Sequence, residues 1–144
     1  MATDVSGKLI NIGDEVWCHS LGICKVITTL IPYEVDVLTK NNEEKTISTH
    51  LTDITKVRSW KELAKEALDI QNACNLSGLV HTFSSTIREL RCRLEDEGAF
   101  STDALNTHPI CILFSDKLYS LASGDNDSIK FWKAFDWAKK VSEE

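Results

Sequence analysis

The sequence predicts an α+β protein, a small closed β-barrel followed by a helical bundle. Three observations lead there. Residues 9–57 carry short β-branched runs, spaced by turn signals and alternating with period two. From Ser59 onward the apolar residues recur every three or four positions instead. The chain has 144 residues, of which 42% are hydrophobic and 26% charged. That composition is ordinary for a globular chain, and the length is enough to bury roughly two-thirds of the unfolded surface.

The β region is read strand by strand. Gly13-Asp14 is a turn signal, and Glu15 to His19 follows as a short strand with Val16 and Cys18 on one side. Leu21-Gly22 is a second turn, and Ile23 to Leu30 is a β-branched run that Pro32 interrupts. Tyr33, Val35 and Val37 alternate with Glu34, Asp36 and Leu38, the pattern of a half-buried strand. Asn41-Asn42 marks a hairpin turn, Lys45 to Thr49 returns as a strand, and Leu51 to Ile54 reads as a short helical turn. Several short strands in so few residues predict a barrel, because closure removes exposed strand edges.

The helical region opens at Ser59, with Glu62 three residues later as in a capping box. One apolar stripe is Leu63, Ala67, Ile70 and Cys74. A second is Leu76, Val80, Phe83, Ile87, Leu90 and Leu94, nearly opposite the first. Two explanations compete: the helix breaks near Asn75 to Gly78, or one long helix over 58–98 is covered on different faces along its length. The second is favoured because no proline intervenes, and its Leu76–Phe83 part is then surrounded by protein. Thr102-Asp103 opens a short turn. Thr107 is the expected cap of a helix with Pro109 in its first turn, and Gly124 ends that helix. Asn126 or Asp127 caps a last helix over 128–141, with Trp132, Phe135 and Ala138 on one stripe. The division is therefore a barrel at 1–57 and a helical domain at 58–144.

Charge and cysteine usage bound the function. Asp and Glu number 22 against 16 Lys and Arg, a net charge of -6, which disfavours phosphate backbones and suits a basic protein partner. Met1 to Leu9 lacks the apolar stretch of a signal peptide, and no run approaches the roughly 20 apolar residues of a membrane span. Five cysteines at wide spacing read as free thiols in a reducing compartment, with Cys74 and Cys111 as small core residues. They form no C-x-x-C pair, so neither a metal site nor any other cofactor is expected.

The most informative stretch is Gln71 to Ser85, where Asn, Ser, Gly and Thr crowd the middle of the expected helix. Continuing the first stripe past Cys74 leads to Gly78, His81 and Ser85. In one reading this is structural. Gly78 admits a neighbouring helix, and His81 is a core histidine bonded to Asn106 or a carbonyl. In the other, Asn72, Asn75, Ser77, His81, Asn106, His108, Asp116 and Lys117 line a pocket for a small polar or nucleotide-like ligand, held by neutral hydrogen bonds. Hydrolysis by His81 as general base is a further alternative. No catalytic residue is assigned, because no G-x-S-x-G, H-E-x-x-H or comparable motif accompanies His81.

Two resemblances add to this reading. Gly13-Asp14-Glu15-Val16, Leu21 to Val26 and Tyr33 to Val37 resemble the SH3-like barrels of the KOW and CarD type. Members bind nucleic acid, polymerase or other proteins. Here Lys8, Lys25, Lys40 and Lys45 are offset by Asp14, Glu15, Glu34, Asp36, Glu43 and Glu44, which turns the expectation away from nucleic acid. The stretches Asn72 to Phe83 and Asn106 to Leu121 together resemble a family of phage-associated helical domains, over about Trp60 to Ala122. Asn75, Ser77, Gly78, His81, Asn106, His108, Pro109 and Lys117 match its signature. The resemblance implies a phage or bacterial cytoplasm. The resulting expectation is a non-enzymatic phage-type accessory or regulatory protein that binds a host protein, with no membrane partner. Counteraction of host defence belongs to this class. A ligand pocket and a nucleic-acid-associated barrel are the alternatives.

Overall fold

The protein is described by a computed structural model over residues 2–18, 21–29, 31–50, 53–123 and 128–144. It is α+β, with five antiparallel strands followed by helices. Two compact units are present. The first joins Met1–Val57 to Arg91–Ala99, and the second joins Arg58–Leu90 to Phe100–Glu144. Residues 91–99, assigned on sequence to the helical domain, thus cluster with the sheet.

The first unit contains β1 (Glu15–Cys18), β2 (Gly22–Thr28), β3 (Glu34–Leu38), β4 (Glu44–Ser48) and β5 (Ile54–Lys56), in the order β4-β3-β2-β1-β5. Alternation drives it: Val16, Cys18, Val26, Val35, Val37 and Ile47 point inward and form the core with Ala2, Ile10, Cys24 and Ile54. A register shift between Val26 and Thr28 marks an irregularity in β2 where it pairs with β3. The Asn41-Asn42 turn is made with Asn42 at φ 62, a conformation that asparagine tolerates. Among the described residues β4 and β5 are unpaired with each other, so the sheet is open between its edges.

Ile54 does not belong to a helical turn, as the sequence suggests. It begins β5, pairing with Cys18, while Leu51 and Thr52 lie outside the described residues. Three residues are too few to display alternation, and their placement depends on a distant partner. The buried Asp4 carboxylate accepts the Ser6 and Lys8 N–H groups at 2.9 and 2.8 Å and the Lys56 N–H at 2.9 Å. It thereby ties the N-terminal loop to β5.

The second unit holds α1 (Trp60–Asp69), most of α2 (Leu76–Asp96), α3 (Thr102–Asn106), α4 (Pro109–Ser123) and α5 (Ser128–Ser142). The Ser59 hydroxyl accepts the Glu62 N–H at 3.2 Å and donates to the Glu62 carboxylate at 3.1 Å, which caps α1. The single helix expected over 58–98 is broken. A 3-10 turn at Ile70–Asn72 runs into an extended Ala73, and α2 starts afresh at Leu76. The physical reason is Asn75, whose side-chain oxygen accepts from the Gly78 N–H at 3.4 Å and the Ser77 hydroxyl at 3.2 Å, a helix start rather than a helix interior. Leu76 and Val80 are consequently exposed instead of enclosed. Cys74 is exposed too, against expectation, whereas Cys111 is buried.

In this unit α1 packs on α4 and α5, and α4 packs on α5. Ala64 and Ala67 of α1 are buried, and α5 buries the small side chains of Ala134 and Ala138. That choice of face turns Trp132 outward at 56% exposure, although the expected stripe placed it inside with Phe135 and Ala138. Residues 124–127, with their expected stop and cap, lie outside the described residues. No helix among the described residues is long and apolar enough to cross a membrane.

A largely buried ion pair sits inside the unit. Glu89 is 1% exposed, and its carboxylate accepts the Arg58 N–H at 3.1 Å, Arg58 Nε at 3.1 and 3.2 Å and Arg58 Nη2 at 2.7 Å. Arg58 Nη2 also donates to Thr86 Oγ1 at 3.4 Å. Burial alone would lower the Arg58 pKa, but the hydrogen bonds and charge of Glu89, with the charges of Glu66 and Glu62, outweigh it and raise the value. Arg58→Ala is expected to lower the unfolding free energy by about 3 kcal/mol, because it strands a buried carboxylate. The double replacement Arg58→Met with Glu89→Leu is expected to cost less. Urea denaturation of the single and double variants checks both.

Candidate functional site

Among the described residues, none of the clefts brings the eight candidates together. Asn72, Asn75, Ser77 and His81 lie around the start of α2, all exposed. Asn75 and Ser77 serve the helix cap described above, and Thr82 donates to the Gly78 carbonyl at 3.0 Å. Gly78 does not admit another helix: a Cβ built there meets nothing nearer than Asn75 Oδ1 at 3.9 Å. His81 faces outward, and among the described residues no bond to Asn106 is present. The polar text therefore reports a capped, exposed helix start.

His108 is used differently. Its ring stacks on Trp60 at 5.4 Å and meets the edge of Trp137 at 5.0 Å, and its Nδ1 accepts the Ile110 N–H at 3.2 Å. It caps α4 directly before Pro109, a role the sequence assigned to Thr107, whose hydroxyl instead donates to the Asp103 carbonyl at 2.7 Å. Lys117 also has a bracing role, donating to the Gln71 carbonyl at 2.9 Å at the end of the α1 segment. Of the other histidines, His50 rests on Tyr33 at 4.3 Å, and His19 lies outside the described residues.

Two candidates do meet. Asn106 and Asp116 line a cleft of about 290 Å³ with Ile112, Ser115, Tyr119, Lys130 and Phe131, contributed by α3, α4 and α5. Its lining is mostly apolar and includes an amide, two hydroxyls, a carboxylate and an ammonium. Neither histidine nor cysteine lines it, and the polar side chains present are those of Asn106, Ser115, Asp116, Tyr119 and Lys130. Among the described residues no group of three or more His, Cys, Asp or Glu side chains is placed to hold a metal ion.

The sheet carries the other concentration of polar chemistry, on its outer face. Because Val35, Val37 and Ile47 point inward, Glu34, Asp36 and Glu44 share the outward side of β3 and β4. The Asp36 carboxylate accepts from Thr46 Oγ1 at 2.6 Å and Thr28 Oγ1 at 2.8 Å, spanning three strands. These two bonds, Thr46 first, hold its pKa below the usual carboxylate value against a smaller effect of burial. Asp96 is also held low. Burial would raise it, but Lys40, the Ile23 N–H at 3.1 Å and the charge of Arg93 outweigh that effect. By contrast Cys18 is pushed up to about 12 by burial and its neighbour Cys24, while burial raises Cys24 and Cys111, so these thiols stay protonated at neutral pH.

Sequence reasoning named neither the Thr28–Asp36–Thr46 ladder nor Asp4, Arg58, Glu89 or Asp96. The ladder had a faint signal, a threonine in each strand flanking the acidic β3, but only the register joins them. Comparison with family models, curated proteins and solved structures finds no match.

His81→Ala is expected to change stability by less than about 0.5 kcal/mol. His108→Ala, which loses a cap and two ring contacts, is expected to cost about 2 kcal/mol, and thermal and urea melts separate the two. Thr46→Val is expected to raise the Asp36 pKa, read by carboxyl NMR titration. The sign follows from linkage: a lowered folded pKa gives stability that is present above the unfolded value and lost as pH falls through the folded one. Wild type should therefore gain over Thr46→Val as pH rises out of the acid range.

Proposed function

We propose that the protein is a non-enzymatic, phage-type accessory protein that binds a host protein through the outer face of its sheet. The acidic face of β3 and β4 carries this reading. Glu34, Asp36 and Glu44 stand together there, and Asp36 is fixed as a carboxylate by two hydroxyl donors. The chain as a whole has a net charge of -6, which favours a basic partner through complementary potential. An SH3-like barrel is the proposed form of the sheet. A four-strand meander whose fifth strand returns beside the first, with an irregular β2 to bend it, supports that form. The phage association rests on the resemblance of the segment from Trp60 to Ala122, and with it the bacterial cytoplasm as the place of action. Interference with host defence is one use of such binding.

A second reading, a small polar ligand, is favoured by the cleft that brings Asn106 and Asp116 together beside Lys130. The exposure of His81, the use of His108 Nδ1 as a helix cap and the absence of both from the lining of this cleft weigh against a hydrolytic form of it.

The test is capture from a bacterial lysate by the tagged protein and by the double variant Glu34→Lys, Glu44→Lys, with circular dichroism as a check on folding. Wild type should retain a host protein that the variant releases, and retention should weaken as salt rises. Equal retention by the variant overturns the proposal. So does recovery of nucleic acid with a steep salt dependence, or of a small molecule in place of any protein.

A further inference from the structure

The open edge of the sheet points to a particular way of binding. The main-chain pattern of β4 is fixed by its register with β3 and by two flanking bonds, Thr49 N–H to the Tyr33 carbonyl and Thr39 N–H to the Glu43 carbonyl, both 2.9 Å. In an antiparallel ladder hydrogen-bonded and non-hydrogen-bonded pairs alternate. The pairs 33/49, 35/47, 37/45 and 39/43 are then the bonded ones. Glu44, Thr46 and Ser48 fall between them, and their N–H and C=O groups point away from β3. Among the described residues none of these main-chain groups has a partner. The opposite edge is already occupied: Val5 N–H bonds the Ile54 carbonyl at 2.9 Å and Asp4 accepts from Lys56 N–H.

We infer that β4 accepts an extended, lysine- or arginine-bearing segment of a partner protein as a sixth strand. The inference rests on the reading of the sheet as a protein-binding surface and names the kind of segment it takes. Strand addition supplies affinity through main-chain bonds and selects side chains through alternation. Side chains on the outward side of the added strand would stand beside Glu44, with Asp36 and Glu34 one strand further in. A cation at those positions meets carboxylates. A second copy of this chain would instead bring its own Glu34, Asp36 and Glu44 to the same side, so like charges argue against self-pairing.

The probe is an acetylated and amidated heptapeptide of alternating lysine and valine. The protein variants are Thr46→Pro and Thr46→Val. Both lose the hydroxyl that bonds Asp36, but only proline removes the outward N–H, which β3 does not use. Thr46→Pro should bind the peptide at least about fivefold more weakly than Thr46→Val, the loss expected for one main-chain hydrogen bond. The same peptide with alternate backbone nitrogens methylated should fail to bind the wild-type protein, which keeps the test valid if Thr46→Pro does not fold. Amide exchange at Thr46 and Ser48 should slow when the unmodified peptide is present. Equal binding of the methylated peptide, unchanged exchange at both amides, or self-association through this edge in sedimentation overturns strand addition. If charge reversal abolishes capture of the host protein while Thr46→Pro retains it, the acidic face stands as the contact surface and the added strand does not.

Discussion

Glu89 lies almost wholly out of solvent, and a carboxylate there is stable only while a cation and further donors share the site. Arg58 meets that requirement with its main-chain N–H, Nε and Nη2, and its Nη2 also reaches Thr86. The demand is geometric as well as electrostatic. The residue just before the Ser59 cap must lie against the third and fourth turns of α2, which fixes where α1 can begin. Buried pairs of this kind are poor sources of net stability but severe constraints on arrangement. Here the clamp engages α2 late in its length, and the opening turn, with Leu76 40% and Val80 50% exposed, is left at the surface.

In the sheet the governing constraint is the two-residue period. Valines and Ile47 on one side leave the other side of β3 and β4 to Glu34, Asp36, Leu38, Glu44 and Thr46, while on β1 and β2 the same side carries Trp17, Ile23, Lys25 and Thr28; the cross-strand register turns Thr28, Asp36 and Thr46 into a hydroxyl–carboxylate ladder. Fixing Asp36 between two donors keeps its charge in place without a cation. The acidity of the face is therefore a property of the fold, and the exposed carboxylates of Glu34 and Glu44 add to it at the surface.

Much of the fold was legible because its signals are local. The alternation at Glu34 to Leu38, the Asn41-Asn42 turn and the Ser59–Glu62 cap each depend on residues a few positions apart. What failed depended on distant partners or on competing local bonds. β5 forms because Cys18 and Asp4 receive it. The helix break follows from Asn75 bonding Gly78 N–H in preference to remaining in a continuous ladder, so residues that resembled a buried polar site were a cap. His108, grouped on sequence with the pocket residues, instead caps α4 through its ring nitrogen with tryptophans on two sides. Trp132 turns outward because α5 buries the side of the helix that carries Ala134 and Ala138. Of the candidate site, only the pairing of Asn106 with Asp116 in one cleft survives as geometry.

Gly22 opens β2 at φ 75, and a Cβ added there would lie 3.1 Å from Asp96 Oδ1. The same carboxylate oxygen accepts the Ile23 N–H and pairs with Lys40. Backbone handedness and the close carboxylate thus impose the same restriction at one position. Removing Asp96 would therefore free the space beside position 22 but not its left-handed backbone, so a side chain there stays strained with or without the clasp.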